Sequence, residues 1–134
     1  MDVKPQLRRI ALVEDDPDIR AIGELALRDI GGLEVQAYAS GLMAIAGLRK
    51  HEVDVVLLDA KMPGMSGEET LQNLRSTPLT RNIPAIFVTA NSQQHDMDRY
   101  RELGALDVIT KPFDPMTLAR RVEEIWLKHR ESFQ

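Results

Sequence analysis

Val55-Val56-Leu57-Leu58-Asp59-Ala60-Lys61-Met62-Pro63-Gly64-Met65-Ser66-Gly67 runs four apolar residues straight into one aspartate, and a turn containing Pro63, Gly64 and Gly67 follows at once. An apolar run of this kind reads as a strand buried on both faces, as in a parallel sheet. Open α/β sheets place their ligands outside the carboxyl ends of such strands. Asp59 is therefore expected at the rim of a rigid sheet, where it can serve as nucleophile, metal ligand or strand cap.

The same pattern recurs on both sides of this stretch. Arg9 to Val13 is a first strand that ends in Glu14-Asp15-Asp16. Asp16-Pro17 then gives a helix start, an aspartate cap followed by proline at the first helical position. Ile19, Ile22, Ala26 and Ile30 keep helical spacing until Gly31-Gly32. Leu33 to Tyr38 is a short second strand, and Ser40 caps a helix carrying Leu42, Ile45 and Leu48. The third strand covers Val53 to Leu58. Ser66 followed by Glu69 has the spacing of a capping box, and Leu71 and Leu74 give that helix an apolar side. Ile83 to Val88 is the fourth strand, and a more polar helix from Gln93 to Leu103 stops at Gly104. Leu106 to Ile109 is the fifth strand. Asp114-Pro115 repeats the helix start, with Leu118, Val122, Ile125 and Trp126 on one stripe.

Strands alternating with helices predict an α/β fold, a doubly wound five-stranded parallel sheet with five helices on its two faces and right-handed crossovers. No internal repeat or linker interrupts the pattern. The 134 residues read most simply as one domain, with residues 1–8 as a tail and 9–128 as the core.

Composition narrows the chemistry. With 17 basic and 21 acidic residues the net charge is -4, which argues mildly against direct contact with nucleic acid. There is no cysteine, so disulfides and thiolate metal sites are excluded. No apolar run approaches a membrane span, and Met1 to Arg9 lacks the apolar core of a signal peptide. A cytoplasmic location is the default expectation.

Glu14-Asp15-Asp16, Asp59, Thr89 and Lys111 each follow an apolar strand directly, and in a parallel sheet those ends share one edge. Glu14, Asp15 and Asp59 would gather three negative charges there. At separations of about 4 Å each like-charge pair costs several kcal/mol even at an effective dielectric near 20. A divalent cation would relieve this, and oxygen donors without His or Cys suit Mg²⁺. Beside it, Lys111 and the Thr89 hydroxyl could hold phosphoryl oxygens. A carboxylate can attack phosphorus to give an aspartyl phosphate, a reaction that needs mainly positioning and charge neutralisation.

These residues resemble the receiver domain of two-component response regulators, and look like a chemotaxis-regulator-like single receiver. The resemblance fits a stand-alone regulator and equally a receiver module of a longer protein, such as a hybrid kinase or a regulator with an output domain. The matching pieces are Val13-Glu14-Asp15-Asp16-Pro17, Leu58-Asp59-Ala60-Lys61-Met62-Pro63-Gly64-Met65-Ser66-Gly67, Val88-Thr89-Ala90 and Thr110-Lys111-Pro112-Phe113. They stand in order from about Arg9 to Lys128. The resemblance implies the flavodoxin-like strand order 2-1-3-4-5 and a cis peptide at Lys111-Pro112. It implies Asp59 as phosphoacceptor, with Mg²⁺ bound by Asp15, Asp59 and the Lys61 backbone carbonyl, and Glu14 close by, acting through water. Thr89 would be the switch hydroxyl, and Lys111 the cation paired with the phosphoryl group or Asp59. The implied partners are a sensor histidine kinase or phosphotransfer protein and a downstream protein target. They would meet the surface of helix four, strand five and helix five, where Val108, Arg120 and Glu123 are candidate contacts and a homodimer could also form.

Two departures from the family pattern matter. Family members often carry an aromatic residue on strand five, three before the lysine. Val108 stands there, so coupling is expected to rely on Thr89 and the loop after it. Lys61 and Asn91, each two residues beyond a key position, imply slow self-dephosphorylation.

Plainer readings apply to other residues. Asp16 is a helix cap, not a ligand. His51, His95 and His129 are surface residues, Trp126 is packing, the methionines are mostly core filler, and the helix from Gln93 to Leu103 is mostly solvated. Two other functions fit less well. An aspartyl-phosphate phosphatase of the haloacid dehalogenase type needs Asp-x-Asp after the first strand and a cap domain. A flavodoxin-like cofactor binder needs a phosphate-cradling loop after strand one, and this one is acidic.

Overall fold

The computed structural model describes residues 6–90 and 93–132. The chain runs β1 (Arg9–Val13), α1 (Pro17–Glu24) with a π-helical continuation (Leu25–Ile30), β2 (Glu34–Tyr38), α2 (Gly41–Leu48), β3 (Val55–Asp59), α3 (Gly67–Arg75), β4 (Ala85–Thr89), α4 (Gln94–Glu102), β5 (Asp107–Thr110) and α5 (Leu118–Ser132). The sheet order is β2-β1-β3-β4-β5 and every neighbouring pair is parallel, as expected.

Side chains alternate across each strand, and this splits the core in two. Ile10, Leu12, Val55, Leu57, Ile86, Val88 and Ile109 pack with Leu27, Leu118, Val122 and Trp126, under α5 and the π-helical turn after α1. Ala11, Val13, Val56, Leu58, Phe87 and Val108 pack on the other side with Leu48, Leu71, Leu74 and Tyr100, under α2, α3 and α4. Every residue of β3 and β4 is buried. Near-continuous apolar strands are what burial on both faces requires.

The helix starts follow their sequence signals. Asp16 caps α1, accepting from the Asp18 and Ile19 backbone N–H groups at 2.9 and 3.2 Å. Ser66 and Glu69 form the reciprocal capping box of α3. The second aspartate–proline signal gives something else. The Met116 N–H closes on Asp114 Oδ1 at 2.9 Å, a turn occupies Pro115 to Thr117, and α5 begins only at Leu118. Asp16 makes the same contact two residues on but also closes the Ile19 N–H three residues on, which is the bond of a helix cap, and Asp114 makes only the first.

Other boundaries also moved. β3 and β4 begin two residues later than their apolar runs and end one residue later. Pairing thus takes in Asp59, opposite Val88, and Thr89, opposite Thr110. Leu7 is buried in the core beneath α5, so the expected tail packs at its inner end. Among the described methionines only Met62 is buried, while Met43 and Met116 are largely exposed, which corrects the reading of methionine as core filler.

Candidate functional site

The alternation that builds the two core layers also aims the site residues. Glu14 continues the Leu12 side of β1, Asp59 the Leu57 side of β3, and Lys111 the Ile109 side of β5. All three therefore converge on the α1/α5 side of the sheet edge. Thr89 continues the Phe87 side of β4, towards α4. The ladder extends past the strands and fixes the backbone beneath these side chains. The N–H of Glu14 donates to Tyr38 O, that of Ala60 to Val88 O and that of Lys111 to Thr89 O, at 2.9 to 3.0 Å.

Lys111 binds two carboxylates. Its Nζ lies 2.6 Å from Glu14 Oε1 and 3.2 Å from Asp59 Oδ2. Glu14 and Asp59 are buried, at 3% and 5% exposure. The other Glu14 oxygen accepts from the Asp16 N–H at 3.2 Å, and Asp59 Oδ1 accepts from the Lys61 N–H at 3.2 Å. Burial raises the Glu14 carboxyl above its ordinary 4.5. Lys111 opposes that shift and neighbouring Asp59 reinforces it. Burial alone would pull the Lys111 ammonium down, but Glu14 and Asp59 together outweigh it and hold it above its ordinary 10.5. The peptide between Lys111 and Pro112 is cis, as the resemblance implied.

Asp15 completes the cluster. One oxygen each from Glu14, Asp15 and Asp59 lie within 4.8 Å of one another. Opposite oxygens of an octahedral Mg²⁺ are about 4 Å apart, so this all-oxygen donor set fits a small hard cation. Three carboxylates facing one ammonium leave a surplus of negative charge for such an ion to balance. Asp16, by contrast, is spent on the α1 cap.

Two supports were not read from the sequence. The Arg20 guanidinium donates to the Glu14 and Asp15 backbone carbonyls at 2.9 and 3.3 Å, bracing the acidic loop from α1. Gly67 lies so close that a side-chain carbon there would overlap the Asp59 carbonyl oxygen and Ala60 Cα. The arginine's six-residue offset from Glu14, about one helical turn past the Asp16 cap, was the available signal. The glycine's role depends on tertiary approach and had none.

Thr89 is buried on the α4 side, the side on which Phe87 and Tyr100 pack. Burial raises Tyr100 above its ordinary 10.0, and its interaction with Thr89 opposes the shift. Tyr100 is the exception on a helix read as mostly solvated. The Met97, Tyr100, Leu103 spacing was its sequence signal, and both neighbours pack against the same cluster. Val108 is 5% exposed, so it cannot be the surface contact expected of it. Arg120 and Glu123 are exposed and His51, His95, Arg120 and Glu123 face solvent, while Trp126 is buried under the Arg130 guanidinium at 4.9 Å. Asn91 lies outside the described residues.

An open apolar hollow of about 420 Å³ borders Lys111, lined by Ile19, Ile22, Ala90, Pro112, Phe113 and Pro115. It places uncharged surface next to a charged pocket.

Comparison with known proteins gives a consistent picture. The profile of the response regulator receiver domain matches residues 10–123. Chemotaxis protein CheY-3 of Vibrio cholerae is 31% identical over 118 residues, covering 88% of this chain and 91% of that protein. The phosphate regulon transcriptional regulatory protein PhoB of Escherichia coli is 38% identical over 120 residues, 88% of this chain but 51% of PhoB. The chain thus spans about half the length of that relative. Among solved structures, CheY4 of Vibrio cholerae superposes with a TM-score of 0.82 at 28% identity, covering 90% of this chain and 99% of its own. The receiver domain of a Pseudomonas aeruginosa sensor histidine kinase, solved with a magnesium ion coordinated in its active site cleft, gives 0.78 at 29% identity, covering 92% and 99%.

Proposed function

This chain belongs to the response regulator receiver domain family, a family of regulatory signalling domains, and on that footing we propose that it is a phosphorylation-controlled switch with Asp59 as phosphoacceptor. The observation that carries this reading is one lysine ammonium held between two buried carboxylates, with a third carboxylate in reach of both. A structural ion pair would need no such surplus of negative charge. A site that must accept an anionic phosphoryl group beside a cation does.

The donor is a phosphohistidine on a sensor histidine kinase or phosphotransfer protein. An Asp59 carboxylate oxygen forms a bond to phosphorus as the donor's P–N bond breaks. The imidazole leaves with the electron pair and takes a proton from solvent. Mg²⁺ held by Asp15, Asp59 and the Lys61 backbone carbonyl, with Glu14 acting through water, would supply the charge neutralisation that brings two anions together. The engagement of both Glu14 oxygens by Lys111 and the Asp16 N–H supports a water-mediated role for that residue. Lys111 exchanges its Asp59 contact for a phosphoryl oxygen, and the Thr89 hydroxyl joins it. Hydrolysis later returns the carboxylate.

The apolar hollow beside Lys111 is where the donor protein settles, since it borders the lysine that contacts the nucleophile and can exclude water. The exposed face of α4, β5 and α5 serves the downstream target or a second copy of the chain. There Asp107 lies 3.5 Å from Arg101 and 3.7 Å from Arg121, pairs that could be re-formed across an interface. No described helix is long and apolar enough to cross a membrane, in keeping with action in the cytoplasm by protein contact. The exposed Lys61 side chain flanks Asp59 and would shield the phosphoryl group, giving a lifetime of minutes, not seconds.

The test is labelling by a small phosphodonor such as acetyl phosphate. Labelling that needs Mg²⁺ and is lost in Asp59→Asn supports the proposal. Labelling that persists in the variant or in chelator refutes it.

A further inference from the structure

Arg20 stands about one turn into α1 and is half-buried. It meets the acidic loop three times. Its Nη1 donates to the Glu14 and Asp15 carbonyls at 2.9 and 3.3 Å, and its backbone N–H donates to the Asp16 carbonyl at 2.9 Å. One residue thus holds three successive carbonyls of the loop that carries Glu14 and Asp15. Although Asp15, Asp16 and Asp18 are near in sequence, the guanidinium forms no ion pair among the described residues. It engages the backbone instead, and it stays protonated at any ordinary pH. The Asp16 N–H on Glu14 Oε2 at 3.2 Å and the Asp16 cap on α1 remove further freedom from the loop.

Two hard dications ask different things of such a loop. Mg²⁺ demands near-ideal octahedral oxygens at about 2.0–2.1 Å, whereas Ca²⁺ accepts about six to eight at 2.3–2.6 Å in flexible geometry. A fixed loop therefore favours Mg²⁺, and a loosened one costs Ca²⁺ little. Both ions carry the same charge, so repulsion by the guanidinium acts nearly alike on the two and cancels from the ratio of their affinities. That ratio reports how the ligands are held. The chain also contains a matched bridge far from the site. Arg75 Nη1 donates to the Arg81 and Ile83 carbonyls at 3.1 and 2.7 Å, before the amino end of β4.

We propose that Arg20 is the positioning residue of the acidic loop and sets its preference for Mg²⁺ over Ca²⁺. This builds on the reading of Glu14, Asp15 and Asp59 as a cation site. It gives a residue of α1 that touches neither the ion nor the phosphoryl group control over which ion the site takes.

Titration of ¹⁵N-labelled protein with magnesium chloride and with calcium chloride gives the two dissociation constants. The readout is the Asp16 and Lys61 amides, which donate to Glu14 and Asp59. The native protein prefers Mg²⁺. In Arg20→Met the Mg²⁺ constant rises about tenfold, the lower end of what support of a metal ligand is worth, and the Ca²⁺ constant changes less than about twofold. Arg75→Met lowers stability in urea but keeps the native ratio. Should Arg20→Met not fold, Arg20→Lys serves in its place. It keeps the charge, its ammonium ends one bond short of Nη1, and the same fall in the ratio is expected. A native ratio in the folded Arg20 variant, an equal fall in Arg75→Met, or a native preference for Ca²⁺ overturns this inference alone. If neither ion moves these amides in the native protein, the cation site falls and this inference with it.

Discussion

The two halves of the carboxyl edge are built differently. Around β1 and β3 almost every group is fixed. Glu14 has both oxygens engaged, Asp16 closes two N–H groups, Arg20 braces two carbonyls, and Gly67 seats α3 directly on the Asp59 backbone. α3 buries Gly67, Thr70, Leu71 and Leu74 along nine residues. At β4, the nine-residue α4 buries Tyr100 alone. Phosphoryl chemistry needs the nucleophile and its counter-charge in place beforehand. A switch needs an element whose displacement costs little. The chain supplies the two from adjacent strands, joined at Thr89.

The largest effect should come from the rigid side. Gly67→Ala forces a side-chain carbon into the Asp59–Ala60 backbone, where no flexible neighbour can yield. A loss of about 3 kcal/mol in urea unfolding is expected, with labelling impaired as well. A change near zero would mean that α3 is not seated as tightly as the comparison requires.

Next in size is Mg²⁺. At a hundredfold excess over its dissociation constant it should stabilise the native state by about 2.7 kcal/mol. Hydrogen exchange should slow at the Asp16 and Lys61 amides, which donate to Glu14 and Asp59, more than at Met97 or Tyr100. Uniform slowing would erase the distinction between the halves.

A smaller effect is expected from Glu14→Gln in chelator. The folded Glu14 pKa lies above 4.5 because burial and Asp59 disfavour the anion. Such a group contributes its full stability below the unfolded value and loses it as pH rises through the folded value. The variant lacks that loss, so unfolding measured from pH 4.5 upward should shift in its favour. A shift the other way would show that Lys111 more than compensates the buried charge.

The smallest effect belongs to the solvated side of α4. His95 is three-quarters exposed and meets Asp96 at 3.5 Å. His95→Ala should change stability by less than about 0.5 kcal/mol.

The parallel sheet was legible because β1, β3, β4 and β5 are apolar runs that stop at charged or hydroxyl residues, whereas the strand order came from the family resemblance. What escaped depended on contacts between elements. The strands extend to Asp59 and Thr89 because pairing, not hydropathy, ends them. Asp114 copies the Asp16 signal but lacks the bond to the N–H three residues on that Asp16 makes to Ile19. Leu25 to Ile30 follow apolar spacing that cannot distinguish π-helical from α-helical backbone. Tyr100 sits amid charged neighbours, and beyond its spacing with Met97 and Leu103 only its packing on Phe87 shows that this face of α4 is buried.

The claim at the centre is that the Asp59 carboxylate, held by Lys111 beside Asp15 and Glu14, takes a phosphoryl group. Intact-mass measurement after incubation with acetyl phosphate and Mg²⁺ tests it most directly. The account predicts one added phosphoryl group, about 80 Da by formula, in the native protein and none in Asp59→Asn or in chelator. The same mass gain in the variant, or in the absence of Mg²⁺, would contradict it.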